Sequence, residues 1–159
     1  MPTHELITRL LDAADATPAT DTIEVLHELL DDSTIEAVGA PVRISDAAAL
    51  TGLSAYTLRY YESKGLVHPR HNMAGYREYS AFDLRRIVFI ARMRLSGMTM
   101  ADLQRYIGLV EQGDTTMPQR RALMIAQRER IERQMRELSL ALETTNYKIK
   151  TYTPEMTSD

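Results

Sequence analysis

The stretch "TLRYYESKGL", Thr57 to Leu66, sets an arginine and two tyrosines side by side in the middle of a short predicted helix. Helical phase separates them. Leu58 and Tyr61 lie three apart on one face, which suits packing, while Tyr56, Arg59 and Tyr60 fall on the other side. Ser54 is placed to cap this helix and Gly65 to end it. Just upstream, "ISDAAALTGLS" (Ile44–Ser54) reads as another short helix, with Ser45 as its N-cap, Asp46 in the first turn and Gly52 at the close. Ala48, Gly52 and Leu58 then supply the close approach, the turn and the apolar anchor of a helix-turn-helix. Many unrelated chains meet that spacing, so the flanks decide.

Downstream, two short β-prone pieces, Leu66–His68 and Tyr76–Tyr79, bracket a loop containing Pro69, Asn72 and Gly75, the pattern of a β-wing. Ser80 caps a following helix whose inward face is expected to hold Phe82, Ile87, Ile90, Ala91 and Leu95, with Gly97 at its end. Thr99 caps "MADLQRYIGLVEQG". Residues 41–112 thus predict a four-helix winged helix-turn-helix domain.

After Pro118 the pattern changes to a heptad repeat. Met124, Ile131, Met135, Leu138, Leu142, Ile149 and Tyr152 follow alternating steps of four and three, with Arg128 and Thr145 as polar members. One helix over 117–153 would be on the order of 50 Å long. A seam of that length wants a partner; a homodimer through Ile131, Met135, Leu138, Leu142 and Ile149 is the economical answer, and folding back on the chain's own core is the other. Residues 154–159 read as a flexible tail, too short for a further ligand-binding domain.

Residues 1–40 read as two acidic amphipathic helices, with faces Leu6, Ile7, Leu10, Leu11 and Ile23, Leu26, Leu29, Leu30, separated by "ATPATD" with Thr20 or Asp21 as a cap. This extension either packs on its own domain or serves as a regulatory, partner-docking arm.

Composition narrows the function. The net charge of −3 conceals an acidic first 40 residues, with nine Asp/Glu against one Arg, and a basic middle. Residues 41–107 carry ten Lys/Arg against five Asp/Glu, the electrostatic balance of a polyanion binder. With no cysteine, disulfides, thiolate metal sites and thiol redox sensing are excluded. No run is long and apolar enough to cross a bilayer and no segment resembles a signal peptide, so a cytoplasmic location without membrane partners is expected. No phosphate loop, triad ordering or clustered metal ligands appear, so no enzyme activity, cofactor or metal is expected.

Taken together, "ISDAAALTGLSAYTLRYYESKGLVHPRHNMAGYREYSAFDLRRIVFIARMRLSGMTMADLQRYI" resembles the MerR family of bacterial transcription regulators. "TLRYYESKGL", the Pro-Arg wing and "GYREYS" stand at the family's spacings, and the terminal helix resembles its dimerisation helix. The first 40 residues match nothing in the family core. The resemblance implies a mainly α protein: a winged helix-turn-helix domain, a long C-terminal helix forming an antiparallel coiled-coil dimer, and here an N-terminal acidic helical extension. It implies a homodimer on double-stranded promoter DNA at a pseudo-palindromic site, bending and untwisting it for RNA polymerase. It further implies DNA contacts from Ser54, Ala55, Tyr56, Thr57, Arg59 and Tyr60 on the second helix, with Ala55 and Tyr56 discriminating bases, and from Arg70, Tyr76 and Arg77 clamping the backbone. Of Arg85 and Arg86, one is expected at phosphate and one in solvent.

His68 and His71 lack further ligands for a metal, and Met93, Met98 and Met100 read as core fillers. Three routes of control stay open: a small ligand at the junction of the long helix and the winged domain, an effector or partner acting at the N-terminal extension, or none. An architectural or protein-interaction module without promoter control is the alternative function.

Overall fold

A computed structural model describes residues 3–15, 20–30 and 40–155, with the side chains of residues 20 and 21 excepted. Residues 16–19 of the break before the second helix, the side chains of its expected caps Thr20 and Asp21, and the tail residues 156–159 lie outside that set. The chain divides into two compact units, Met1–Ile107 and Gly108–Asp159.

The first unit opens with α1 (Thr3–Asp15) and α2 (Thr20–Leu30), which pack on each other. Leu6, Ile7 and Leu10 of α1 are buried, as its apolar periodicity requires. On α2 the inward face is rotated from the expected one: Val25 and Leu29 are buried, while Ile23 is 57% and Leu30 42% exposed. Val25 and Leu29, four residues apart, form a single stripe, and Ile23 lies outside it. The two helices are not a free arm, because α1 also packs on α3 (Ile44–Thr51) and α5 (Ala81–Leu95), and α2 on α5.

Next comes a two-residue strand β1 (Val42–Arg43), then α3 without a break. Arg43, not Ser45, is the N-cap of α3, and it makes no side-chain cap bond. The boundary falls there because β1 pairs with β3 (Arg77–Tyr79) in the register Val42↔Tyr79 and Arg43↔Glu78, which holds Arg43 extended at the helix start. Gly52 ends α3 in the left-handed region at φ +70, and a side chain there would meet Leu11 at 3.5 Å. The helix-turn-helix turn therefore lies against α1.

Helix α4 (Ala55–Ser63) starts at Ser54, whose Oγ accepts from the Thr57 amide at 3.1 Å. It ends in a Schellman closure: the Gly65 amide donates to the Glu62 carbonyl and the Leu66 amide to that of Tyr61. Leu58 and Tyr61 are buried, as their spacing predicts.

The wing is the antiparallel pair β2 (Arg70–His71) and β3, with β1 on the far side of β3 in the order β1-β3-β2. The first wing strand falls at Arg70–His71 and not at Leu66–His68. Leu66 and Val67 are both fully buried, which successive residues of a wing strand with one solvent-facing side could not be. They anchor the chain beneath the wing, and pairing starts after Pro69.

Ser80 and Asp83 form the capping box that starts α5. Ile87 and Ile90 are buried as expected, with Leu84 and Val88, but Phe82 is 44% and Leu95 80% exposed. Phe82 instead carries the Arg86 guanidinium 4.5 Å from its ring centroid. Thr99 caps α6 (Met100–Glu111) by accepting from the Asp102 amide at 3.1 Å, and Met98 is buried in the preceding turn.

In the second unit a 3₁₀ turn, Asp114–Thr116, leads into α7 (Met117–Tyr152), a single helix of 36 residues with Pro118 in its first turn. Ile131 is half-buried, while Met135, Leu138, Leu142, Ile149 and Tyr152 are all about 59–74% exposed in the single chain. No described helix is long and apolar enough to cross a membrane.

Candidate nucleic-acid interface

The residues outward on α4 stand where helical phase puts them. Tyr56 is 77% exposed, Arg59 is exposed, and Tyr60 is 39% exposed with its ring centroid 6.4 Å from that of the buried Tyr61. Burial pushes the Tyr61 hydroxyl above its ordinary pKa, so that ring serves packing. Lys64 lies over the Tyr60 ring at 5.6 Å, and Gln104 on α6 donates to the Lys64 carbonyl at 2.9 Å, fixing the end of α4. Ser54 and Thr57 share a hydroxyl–hydroxyl bond of 2.9 Å, so both help build the cap as well as line the start of the helix; Ala55 is half-buried beside them.

The wing is shaped by Asn72, whose Oδ1 accepts from the amides of Ala74 and Tyr76, both at 3.0 Å. Gly75 sits at φ +84, where a side chain would be strained although nothing blocks the space. This turn leaves Arg70 exposed, Tyr76 61% exposed and Met73 wholly exposed at the tip.

Arg77 differs from the other candidates. Its Nε donates to the Glu62 carboxylate at the end of α4, in a partly buried ion pair. That hydrogen bond raises the Arg77 pKa further, so the guanidinium is permanently charged. Beneath it, Tyr79 is fully buried, and burial followed by the nearby Glu62 charge raises its pKa. The pair braces wing to helix. Glu62→Gln is therefore expected to weaken DNA binding by several-fold while leaving the salt slope unchanged, because no phosphate contact is removed. Titrations at several salt concentrations check this, and a slope that falls would show that Glu62 does not act through geometry.

Arg85 and Arg86 do not divide as expected. Arg85 is 5% exposed and its Nε donates to Thr3 Oγ1 at 3.2 Å, so it belongs to the contact with α1, and Arg86 is half-buried over Phe82. Tyr56, Arg59 and Tyr60 remain exposed with α1 and α2 in place, so the acidic helices do not cover this surface.

Three residues at the surface went unassigned in the sequence. Arg43 stacks over the Tyr76 ring at 5.5 Å, Lys64 over Tyr60, and Met73 caps the wing. Lys64 stood inside the quoted motif; Arg43 needed β1, which two residues are too few to announce by alternation.

An exposed, capped helix beside a basic wing is the geometry of a DNA-reading module. Residues 42–108 match the model for the MerR HTH family regulatory protein, and 84–144 match the model described as MerR, DNA binding. HTH-type transcriptional regulator HmrR of Rhizobium leguminosarum is 32% identical over 98 residues, 62% of this chain and 76% of that one.

The chain belongs to the MerR family. It is thus a DNA-binding transcription regulator, not an enzyme. Among its MerR relatives, regulator AdhR of Bacillus subtilis is 36% identical over 91 residues, covering 57% of this chain and 65% of AdhR. The MerR regulator HiNmlR, solved bound to promoter DNA and lacking a sensor domain, superposes with TM-score 0.66 at 29% identity, over 70% of this chain and 90% of that one. A MerR family structure from Listeria monocytogenes gives TM-score 0.68 at 33% identity, over 72% and 88%. Both family models begin after residue 40, so α1 and α2 lie outside the matched region.

Proposed function

We propose that this regulator acts as a homodimer on a pseudo-palindromic promoter site, each protomer setting α4 in a major groove and its wing on the flanking backbone, and that it bends and untwists the site to control initiation by RNA polymerase. The observation that carries this reading is the single exposed face of α4, where Tyr56, Arg59 and Tyr60 stand clear of the core beside Arg70 and Tyr76 of the wing. The promoter-bound HiNmlR structure supports promoter DNA as the partner.

In this reading Ala55 and Tyr56 discriminate bases, Arg59 takes phosphate or guanine through its forked donors, and Tyr60 donates to phosphate. Ser54 and Thr57 shape the helix start, and Arg70 and Tyr76 hold the backbone. Arg77 contributes by bracing the wing through Glu62. The dimer closes through an antiparallel coiled coil of α7, with Ile131, Met135, Leu138, Leu142 and Ile149 at the seam. Residues 1–40, 41–112 and 117–153 are then the helical extension, the reading domain and the dimerisation helix, and an effector or partner would act at the extension.

Binding assays on specific and random duplexes test the roles. Tyr56→Ala should change sequence preference more than overall affinity, and Arg59→Ala should weaken binding broadly. A Tyr56→Ala variant that loses equal affinity for every duplex would remove the discriminating role.

A further inference from the structure

A shallow cleft runs between the start of α3, the outer face of α4 and the wing, bordered by Arg43, Ser45, Arg59, Gly75, Tyr76 and Arg77. Three arginines meet at it, and their charges are not equivalent. Arg77 is spoken for by Glu62. Arg43 and Arg59 form no ion pair among the described residues; Glu78 stands opposite Arg43 in the sheet register, yet no ion pair joins them. Arg43 is also not loose. Its guanidinium lies 5.5 Å from the centroid of the ring of Tyr76, the residue just ahead of β3, so it is held at the cleft by an aromatic face that does not cancel its charge.

Two uncompensated guanidiniums lining one concave surface repel each other unless an anion joins them. We propose that this cleft binds one backbone phosphate of the DNA, with Arg43 as a phosphate contact beside Arg59 and with Tyr76 as the residue that positions Arg43. The inference rests on the DNA-binding reading above and adds to it a contact supplied by neither α4 nor the wing loop but by β1, ahead of the helix-turn-helix. Arg43 is well suited to this, since a planar fork presents two donors to two phosphate oxygens while its face stays on the ring. The division of labour at the cleft follows from the pairing: Arg77 holds the walls together, and Arg43 and Arg59 face the ligand.

The test uses the full chain and measures affinity for a random duplex and a selected duplex across a salt series. Arg43→Ala and Arg43→Gln should each weaken binding to both duplexes about tenfold, and reduce the slope of log affinity against log salt by about 1.8 for two phosphates per dimer. Arg43→Lys should keep most of the slope. Tyr76→Leu should lose more affinity in the wild-type background than in Arg43→Ala, because the ring positions Arg43 in addition to making its own backbone contact. Methylphosphonate scanning should find one phosphate per half-site whose neutralisation weakens the wild type and leaves Arg43→Ala unaffected. Arg43→Ala and Arg43→Gln proteins that retain the wild-type slope and affinity overturn the cleft. A wild type that binds no duplex overturns the DNA-binding reading itself, so the two failures are distinguishable.

Discussion

Leu138→Asp should convert the protein to a monomer and lower affinity for its DNA site by about a hundredfold or more. Leu138 is 70% exposed in the single chain, so an aspartate there costs the isolated helix little. In a coiled coil of α7 with a second copy, the same carboxylate enters an apolar seam twice, once per protomer. Burying an unpaired charge costs several kcal/mol after relaxation, enough to dissolve a dimer of micromolar or weaker strength. A monomer then engages one half-site and loses the gain of linked binding. Sedimentation and operator titration read the two effects together. Leu140 supplies the control: it is 65% exposed but sits off the seam, two residues along the helix, and Leu140→Asp should remain dimeric. A dimeric Leu138→Asp protein would place the interface elsewhere.

Removing residues 1–40 should lower the melting temperature of the remaining chain by about 10 °C or more. The two N-terminal helices bury Leu6, Ile7, Leu10, Val25 and Leu29 to 2% exposure or less, and they do so partly against α3 and α5. Full burial of one such side chain stabilises by roughly 1.5–3 kcal/mol, and a loss of about 2–3 kcal/mol shifts a domain of this size by that much. Arg85, deprived of Thr3, would also lose a buried partner. Leu10→Asp should reproduce the loss without shortening the chain. A truncated protein that melts within about 2 °C of the full chain would show that the helices are only appended. The same packing means that a truncation cannot by itself report on regulation; substitutions at exposed acidic positions such as Glu5, Asp12 and Glu24 separate the two.

Much of the reading domain was legible because its signals are local. Ser54, Ser80 and Thr99 cap helices as their residue types require, and Gly52, Gly65 and Gly97 end them in the left-handed region. The inward turn of Leu58 and Tyr61 followed from a spacing of three. The failures share a cause, for each depends on a long-range partner. Ser45 lost the cap to Arg43 because β1 pairs with a strand 35 residues later, across the register Arg43↔Glu78. Of Arg85 and Arg86, expected to divide between phosphate and solvent, Arg85 is instead buried with a hydrogen bond to Thr3 of α1, 82 residues away in sequence. The Arg77–Glu62 pair likewise joins groups 15 residues apart that only the fold brings together. Ile23 and Val25 both satisfy an apolar helix pattern, and the neighbours of α2 decide which faces inward.

In a dimer, α4 and the wing of each protomer should read one half-site of a pair. In vitro selection from a random duplex library, followed by competition against random DNA at about 0.15 M salt, tests it most directly. An inverted repeat should be enriched and bound about a thousandfold or more tightly than random duplex, with the preference altered in Tyr56→Ala. Equal affinity for selected and random duplexes would contradict it and leave an architectural DNA binder in its place.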